Sequence, residues 1–386
     1  MVFTGGRGNE IIVAAIRSVA ALLDGHDVEA LLGNMREASR VVVHDSQLRW
    51  LGPEKGVSHM AAGAVVNALW DIKARRAQLP LWEYLARMSP EELVGIVDFT
   101  HIQNALTEEE ALEIVRAGQE GKQDRIRELK DDGFAAYTTT PGWLGYSDEK
   151  MLRLAQEAVA DGFGLIKLKV GGSIEDDRRR LRLVREALGD GFPIAIDANQ
   201  KWEVGEAIDW VQELAPFDPF WIEEATSTDD ILGHAEIRAA IAPVRVATGE
   251  AVHNRIIFKQ LLQAGAIDVM QIDSTRVAGV NENIANLLLA KKFDVIVCPH
   301  AGGVGLCELV QHFSFVDYAV VATQSQGRFI EYVDHLHEHF VAPAVVQNGK
   351  YVAPEKPGIG AQMHAESLKQ WEYPRGPEWA RLLHSD

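Results

Sequence analysis

Cysteine is almost missing from this chain: Cys298 and Cys307 are the only two in 386 residues. Two thiols make no disulfide framework, and a reducing compartment suits them best. Basic residues are also in short supply, 38 against 56 acidic ones, for a formal net charge of −18. That balance argues against nucleic acid or an anionic membrane as a partner. It also means that an anionic substrate needs a local positive site, because the global field repels it. No run approaches ~20 consecutive apolar residues, so no spanning helix is expected. The N-terminus carries no apolar signal core. The expectation is a soluble, cytoplasmic protein, with a mitochondrial location left open. No G-x-G-x-x-G follows the first strand candidate, which counts against a dinucleotide site.

What is present is ample core material, 47% apolar against 24% charged residues, in a chain long enough for one large domain or two ordinary ones. The organising stretch is 161–200, which reads strand, helix, strand. Leu165–Val170 is apolar except for Lys167 and Lys169, which period-2 alternation sets on one face. Asp176–Leu188 is an amphipathic, arginine-rich helix. Pro193–Ile196 is wholly apolar and stops at Asp197 and Asn199. Apolar strands separated by a surface helix imply a parallel sheet covered on both faces.

The same unit repeats. Strand candidates begin near Ala135, Leu165, Pro193, Phe220, Val244, Ala266, Val295 and Phe329, each pair separated by helix-length sequence. Eight such units predict an α/β fold, a (β/α)8-type TIM barrel, over 131–340. Residues 1–130 lack strong β-α alternation and read as a smaller α+β capping domain. A short strand and turn is expected in 1–10, then an amphipathic helix over Ile11–Leu23. An alanine-rich helix over 58–76 should pack closely on a neighbour. The proline-containing tail, 341–386, is expected to return across the cap.

The repeat puts a polar residue at nearly every strand end: Lys169, Asp197, Glu223, Glu250, Asp273, His300 and Glu331, spaced 23 to 31 residues apart. A buried charge is costly unless it is paired or bound to a metal. Asp197, Glu223 and Glu250, on adjacent strands, form a hard oxygen site suited to Mg²⁺. The bland alternative, strand-end charges satisfied by salt bridges, fits each residue singly but not three in register. Alternation turns Glu224 to the opposite face. The scarcity of His and Cys at these ends argues against zinc.

Lys169 and His300 should face one another across the barrel mouth, with Asp273 holding the imidazole. Lys167 lies one alternation from Lys169, and repulsion between two ammonium groups would lower the pKa of one. Singly, these lysines would snorkel to solvent and the histidine would be a satisfied core residue. A metal, a lysine and a histidine on three sides of one cavity favour chemistry.

The motifs IKLKVG (166–171), IDANQ (196–200), WIEEA (221–225), ATGE (247–250), QIDSTRVAGVNEN (271–283), CPHAGGVGLCELVQH (298–312) and IEYVDHLHEHF (330–340) occur in order. With TTTPGWLGYSDEK (138–150), GRGNE and DSQLRWLGPEKG, the chain resembles the enolase superfamily. Within it, the chain is most similar to mandelate-racemase-like acid-sugar dehydratases of the L-fuconate dehydratase type. The resemblance implies Asp197, Glu223 and Glu250 as Mg²⁺ ligands and Lys169 as base. It implies Asp273–His300 as the second acid/base dyad, Lys167 and Asn199 at the substrate, and Glu331 stabilising the enolate-like intermediate by hydrogen bonding. Ala225 and Ala251 stand where the family usually has Pro and His. The chain is also expected to open inside the family's cap, without its first strands and closing loop, which would favour self-association.

The implied reaction is Mg²⁺-dependent dehydration of a small acid sugar, L-fuconate first, to a 2-keto-3-deoxy acid. Racemisation or epimerisation, another acid sugar, or a non-catalytic relative with an incomplete lid are the alternatives. No nucleic acid or membrane partner is implied, and a homo-oligomer is possible.

Overall fold

The computed structural model describes residues 1–383 apart from Phe3. Eight parallel strands form the centre: β1 (Phe134–Gly142), β2 (Ile166–Lys169), β3 (Ile194–Asp197), β4 (Trp221–Glu223), β5 (Arg245–Thr248), β6 (Val269–Met270), β7 (Ile296–Val297) and β8 (Ile330–Tyr332). Each pairs with the next from β1 to β7, and β8 pairs with β1. The sheet curls because one side chain per strand fills a common interior. Tyr137, Leu165, Ala195, Trp221, Ala247, Val269 and Cys298 form one buried cluster, with Phe329 packed against it. Such a layer is a filled barrel core rather than a pore. The thiol of Cys298 reaches the carbonyl of Gly327 at 3.5 Å, which ties β7 to the lead-in of β8.

The connecting helices start where the sequence supplies caps. Ser173 accepts from the N–H of Asp176 at the head of Ile174–Leu188, and Asn254 does the same for Arg255–Gln263. Register then decides the site. Lys169 lies opposite Asp197, and Asp197 opposite Glu223, so three charged groups stand side by side at one end of the sheet.

Among the described residues no strand precedes β1, so the N-terminal segment is helical where an α+β mixture was expected. The expected 1–10 strand includes Phe3, which lies outside the described residues. Helix Asn9–Ala20 continues as a 3-10 turn through Leu23. It packs on the long helix Gly56–Arg76. That helix meets the barrel closely: a Cβ at Gly63 would come within 2.4 Å of the Val277 carbonyl. The tail does return. Its hairpin, Val346–Gln347 with Lys350–Tyr351, pairs with the start of β1, and the Ile359 N–H donates to Asp71.

Buried charges pin the cap's 44–55 connection beside the barrel. Arg255 bonds Glu54 at 2.6 Å and Glu282 at 3.1 Å, while His59 meets Glu282 at 2.7 Å. Burial opposes the charge of Glu282, but His59 and Arg255 outweigh it and bring its carboxyl down to about 2. Breaking such a buried group leaves an uncompensated charge, so the loop is held firmly.

Candidate active site

The carboxyl oxygens of Asp197, Glu223 and Glu250 lie within 4.8 Å of one another. Asp197 ends β3, Glu223 ends β4, and Glu250 comes two residues past β5. Lys169, the last residue of β2, donates to Asp197 at 2.5 Å. At the other flank, His300 Nε2 stands 3.7 Å from Glu250. His300 and Asp273 each follow their strands by three residues, and His300 Nδ1 meets Asp273 at 3.0 Å. The order lysine, four carboxylates, histidine, carboxylate (Lys169, Asp197, Glu223, Glu250, Asp273, His300, Glu331) therefore runs around the rim as the strands do.

Depth separates these groups. The side chain of Lys167 is 1% exposed, whereas Lys169, His300 and Glu250 retain 12%, 11% and 23%. A ligand entering the mouth thus meets a lysine, an imidazole and a carboxylate oxygen first.

Lys167 is the deeper of the two lysines. Its ammonium sits 2.5 Å from Glu223, 3.1 Å from Glu331 and 3.4 Å from Asp197. Burial works against its charge, but those carboxylates win and raise its pKa well above the usual lysine value. It is a fixed cation. Glu331 lies beside it, 3.1 Å from the ammonium. Burial alone would favour its acid form, but Lys167, His300, the Ala301 N–H and the Thr139 hydroxyl bring it down to about 2. A carboxylate only accepts hydrogen bonds. Glu331 anchors Thr139, Lys167 and Ala301.

Glu224 does not turn away, as strand alternation implied. Its φ of 44° breaks the alternation just past β4, and it is buried. Gln200 donates to it at 2.9 Å. Burial, Glu250 and Asp197 push its carboxyl up to about 8. Asn199 is exposed at the rim, and its backbone N–H donates to Asp197 at 2.9 Å. Two partners escaped the sequence reading: Gln271 Nε2 donates to Glu223 at 2.6 Å, and the Trp221 indole donates at 3.1 Å. Gln271 lies two residues before Asp273, and that same-face spacing was the available signal.

Burial lowers the tendency of His300 to charge, but Glu250, the Asp273 hydrogen bond and Glu331 raise it to about 10. Glu223 is raised as well, to about 8, by burial with Asp197, Glu331 and Glu250 against Lys167. Six carboxyl groups, Asp197, Glu223, Glu224, Glu250, Asp273 and Glu331, thus face three basic side chains. Such crowding fits a bound dication, and an all-oxygen donor set fits a hard one.

A parallel barrel with a lysine, a carboxylate triad and a His–Asp dyad on its C-terminal rim defines a metal-assisted acid/base enzyme. The chain belongs to the enolase superfamily: residues 150–367 match the enolase C-terminal domain-like family. Residues 1–86 match the mandelate racemase / muconate lactonizing enzyme N-terminal domain. The structure of human mitochondrial enolase superfamily member 1 superposes with a TM-score of 0.97 at 48% identity, covering 100% of this chain and 88% of that one. L-galactonate dehydratase of Hypocrea jecorina is 49% identical over 386 aligned residues, 98% of this chain and 85% of its own. Salmonella typhimurium L-talarate/galactarate dehydratase, solved with Mg and L-lyxarohydroxamate, superposes with a TM-score of 0.72 at 26% identity. It covers 95% of this chain and 78% of its own. Among the described residues, no helix is long and apolar enough to cross a membrane.

Proposed function

We propose that this protein is a Mg²⁺-dependent hydro-lyase acting on an L-galacto-configured sugar acid, L-fuconate or L-galactonate, to give a 2-keto-3-deoxy acid. L-fuconate is L-galactonate without the C6 hydroxyl, so one site reading the shared stereocentres serves both. The observation that carries the reading is the flanking of Asp197–Glu223–Glu250 by two solvent-reachable acid/base groups, Lys169 and His300. The 49% identity to a protein named for L-galactonate supports the substrate class.

Asp197, Glu223 and Glu250 would hold the ion. When bound, Mg²⁺ supplies positive charge to the substrate carboxylate, which favours loss of the α-proton. Lys167, a fixed cation at the cavity floor, adds to that field where negative charge develops. Lys169, as the free amine, takes the proton from C2, and the C–H electron pair moves into the carboxylate. His300, as imidazolium oriented by Asp273, gives its Nε2 proton to the 3-hydroxyl. The C3–O bond breaks, water leaves, and the enol tautomerises to the 2-keto acid. Two free, buried thiols suit a reducing compartment, cytoplasmic or mitochondrial.

A second reading, epimerisation at C2, draws on the same two-sided placement of Lys169 and His300. One experiment tests both. Purified protein with MgCl₂ is incubated with L-fuconate, L-galactonate and galactarate in D₂O. Formation of 2-keto acid supports dehydration. Deuterium at C2 with inverted configuration and no keto acid would replace it by epimerisation.

A further inference from the structure

Trp143 stands at the mouth of this site with no part in the chemistry above. It is the first residue after β1, in the short connection to helix Asp148–Ala160. Its ring centroid lies 5.5 Å from Lys169 Nζ. The barrel's other site-end tryptophans, Trp202 and Trp221, are buried, but Trp143 is 44% exposed. A large aromatic face left open beside a cation at a cavity mouth is a contact surface.

Its placement is fixed by groups deeper in the fold. Gly142 is wedged against β2: a Cβ there would fall 2.0 Å from the Lys167 carbonyl, so only glycine fits. Behind it, the buried guanidinium of Arg180 donates to three carbonyls, those of Lys169 at 2.5 Å, Gly142 at 2.8 Å and Trp143 at 3.3 Å. One side chain thereby ties the backbone at Trp143 to the backbone at Lys169.

We propose that Trp143 is the specificity-determining wall of the substrate site, selecting acids whose far end is uncharged over those ending in a second carboxylate. This inference rests on the function proposed above. The acid's own carboxylate belongs at the buried triad and Lys167, and C2 lies between Lys169 and His300. The remaining carbons must run outward, past the indole beside Lys169. The face of an aromatic ring carries partial negative charge, so it receives C–H groups and disfavours an anion. A methyl or hydroxymethyl end packs against it; a carboxylate end does not.

The test compares wild type, Trp143→Ala and Trp143→Phe, all with Mg²⁺, on L-fuconate, L-galactonate and galactarate. Because Trp143 is half exposed, both variants should fold like wild type by circular dichroism. For Trp143→Ala, KM for L-fuconate should rise about tenfold with a much smaller change in kcat, the signature of lost uniform binding. The ratio of kcat/KM for L-fuconate over galactarate should fall by a similar factor, and Trp143→Phe should restore most of it. An unchanged ratio in Trp143→Ala, or a loss in kcat alone on every substrate, overturns the inference while leaving the dehydratase standing. A wild type preferring galactarate also overturns it. A wild type inactive on all three acids overturns the functional reading, and this inference with it.

Discussion

Oδ2 of Asp273 lies 3.0 Å from His300 Nδ1, while Oδ1 of the same carboxylate accepts from the Thr275 N–H and hydroxyl and from the Arg276 N–H. The carboxylate therefore cannot turn. In Asp273→Asn the amide oxygen must stay on those three donors, which directs the NH₂ group at His300. Nδ1 then has to accept, and the imidazole loses both its charge support and its tautomer. Dehydration should fall about 10²–10⁴-fold, the contribution expected of a general acid. A rate within tenfold of wild type would mean that Asp273 does not orient the acid.

Glu250 is the most exposed member of the triad, so it can be changed with least effect on the fold. Glu250→Gln removes a charge at nearly constant volume. Mg²⁺-dependent turnover should disappear while circular dichroism and the urea midpoint of the metal-free protein stay near wild type. Undiminished turnover across a Mg²⁺ titration would remove Glu250 from the ligand set.

Lys169 and His300 are expected to handle different protons. Lys169→Ala should stop exchange of the C2 hydrogen with D₂O. His300→Asn should retain exchange while forming no 2-keto acid. The reverse pattern, read by proton NMR, would show that the substrate presents its other face.

Lys167 compensates Glu223 and Glu331 at a depth water does not reach. Lys167→Met leaves those carboxylates without their cation and should cost about 3–5 kcal/mol of stability. Urea unfolding of the metal-free protein measures it, and a loss under about 1 kcal/mol would show that the charges relax by other means.

The sequence alone carried much of this arrangement, for physical reasons. Parallel strands buried on both faces read as apolar runs, and their polar ends stand out. That is why Lys169, Asp197 and Glu223 were visible as neighbours before any register was known. What stayed hidden depended on local backbone or on long-range partners. Glu224 escapes alternation only because its φ is 44°. The protonation of Lys167 and Glu331 is set by each other across the barrel, from positions 164 residues apart in number. Two helices of the N-terminal segment, Asn9–Ala20 and Gly56–Arg76, were legible from apolar spacing, whereas its shorter helices were not and its expected strands are absent among the described residues. The backbone at Trp143 is held by Arg180, which the sequence marks only as one of several arginines on a surface helix.

A last expectation concerns stability rather than catalysis. His312 lies on helix Leu306–Val316 and is 1% exposed. The Trp82 N–H donates to its Nδ1 at 3.2 Å, and its Nε2–H donates to the Ile359 carbonyl at 3.0 Å. It thus joins the cap, a barrel helix and the returning tail, and it must be neutral to do so. Burial, against weaker help from the Ile359 carbonyl and Asp71, pushes its pKa down to about 4. The unfolded chain binds the proton near pH ~6.5. Below that value the unfolded state takes up more protons than the folded one, so stability rises with pH between about 4 and ~6.5. The contribution is fully present above ~6.5 and is lost as pH falls toward 4, reaching roughly 3 kcal/mol, or ~1.4 kcal/mol per unit. His312→Gln keeps a donor and an acceptor but does not titrate. Subtracting its urea-unfolding free energies from those of wild type at pH 7.5 and pH 5 isolates the histidine from every other titrating group. The wild-type advantage should shrink by about 2 kcal/mol over that interval. A difference that stays constant would show that His312 is protonated without cost, and that the Trp82–His312–Ile359 link does not require its neutral form.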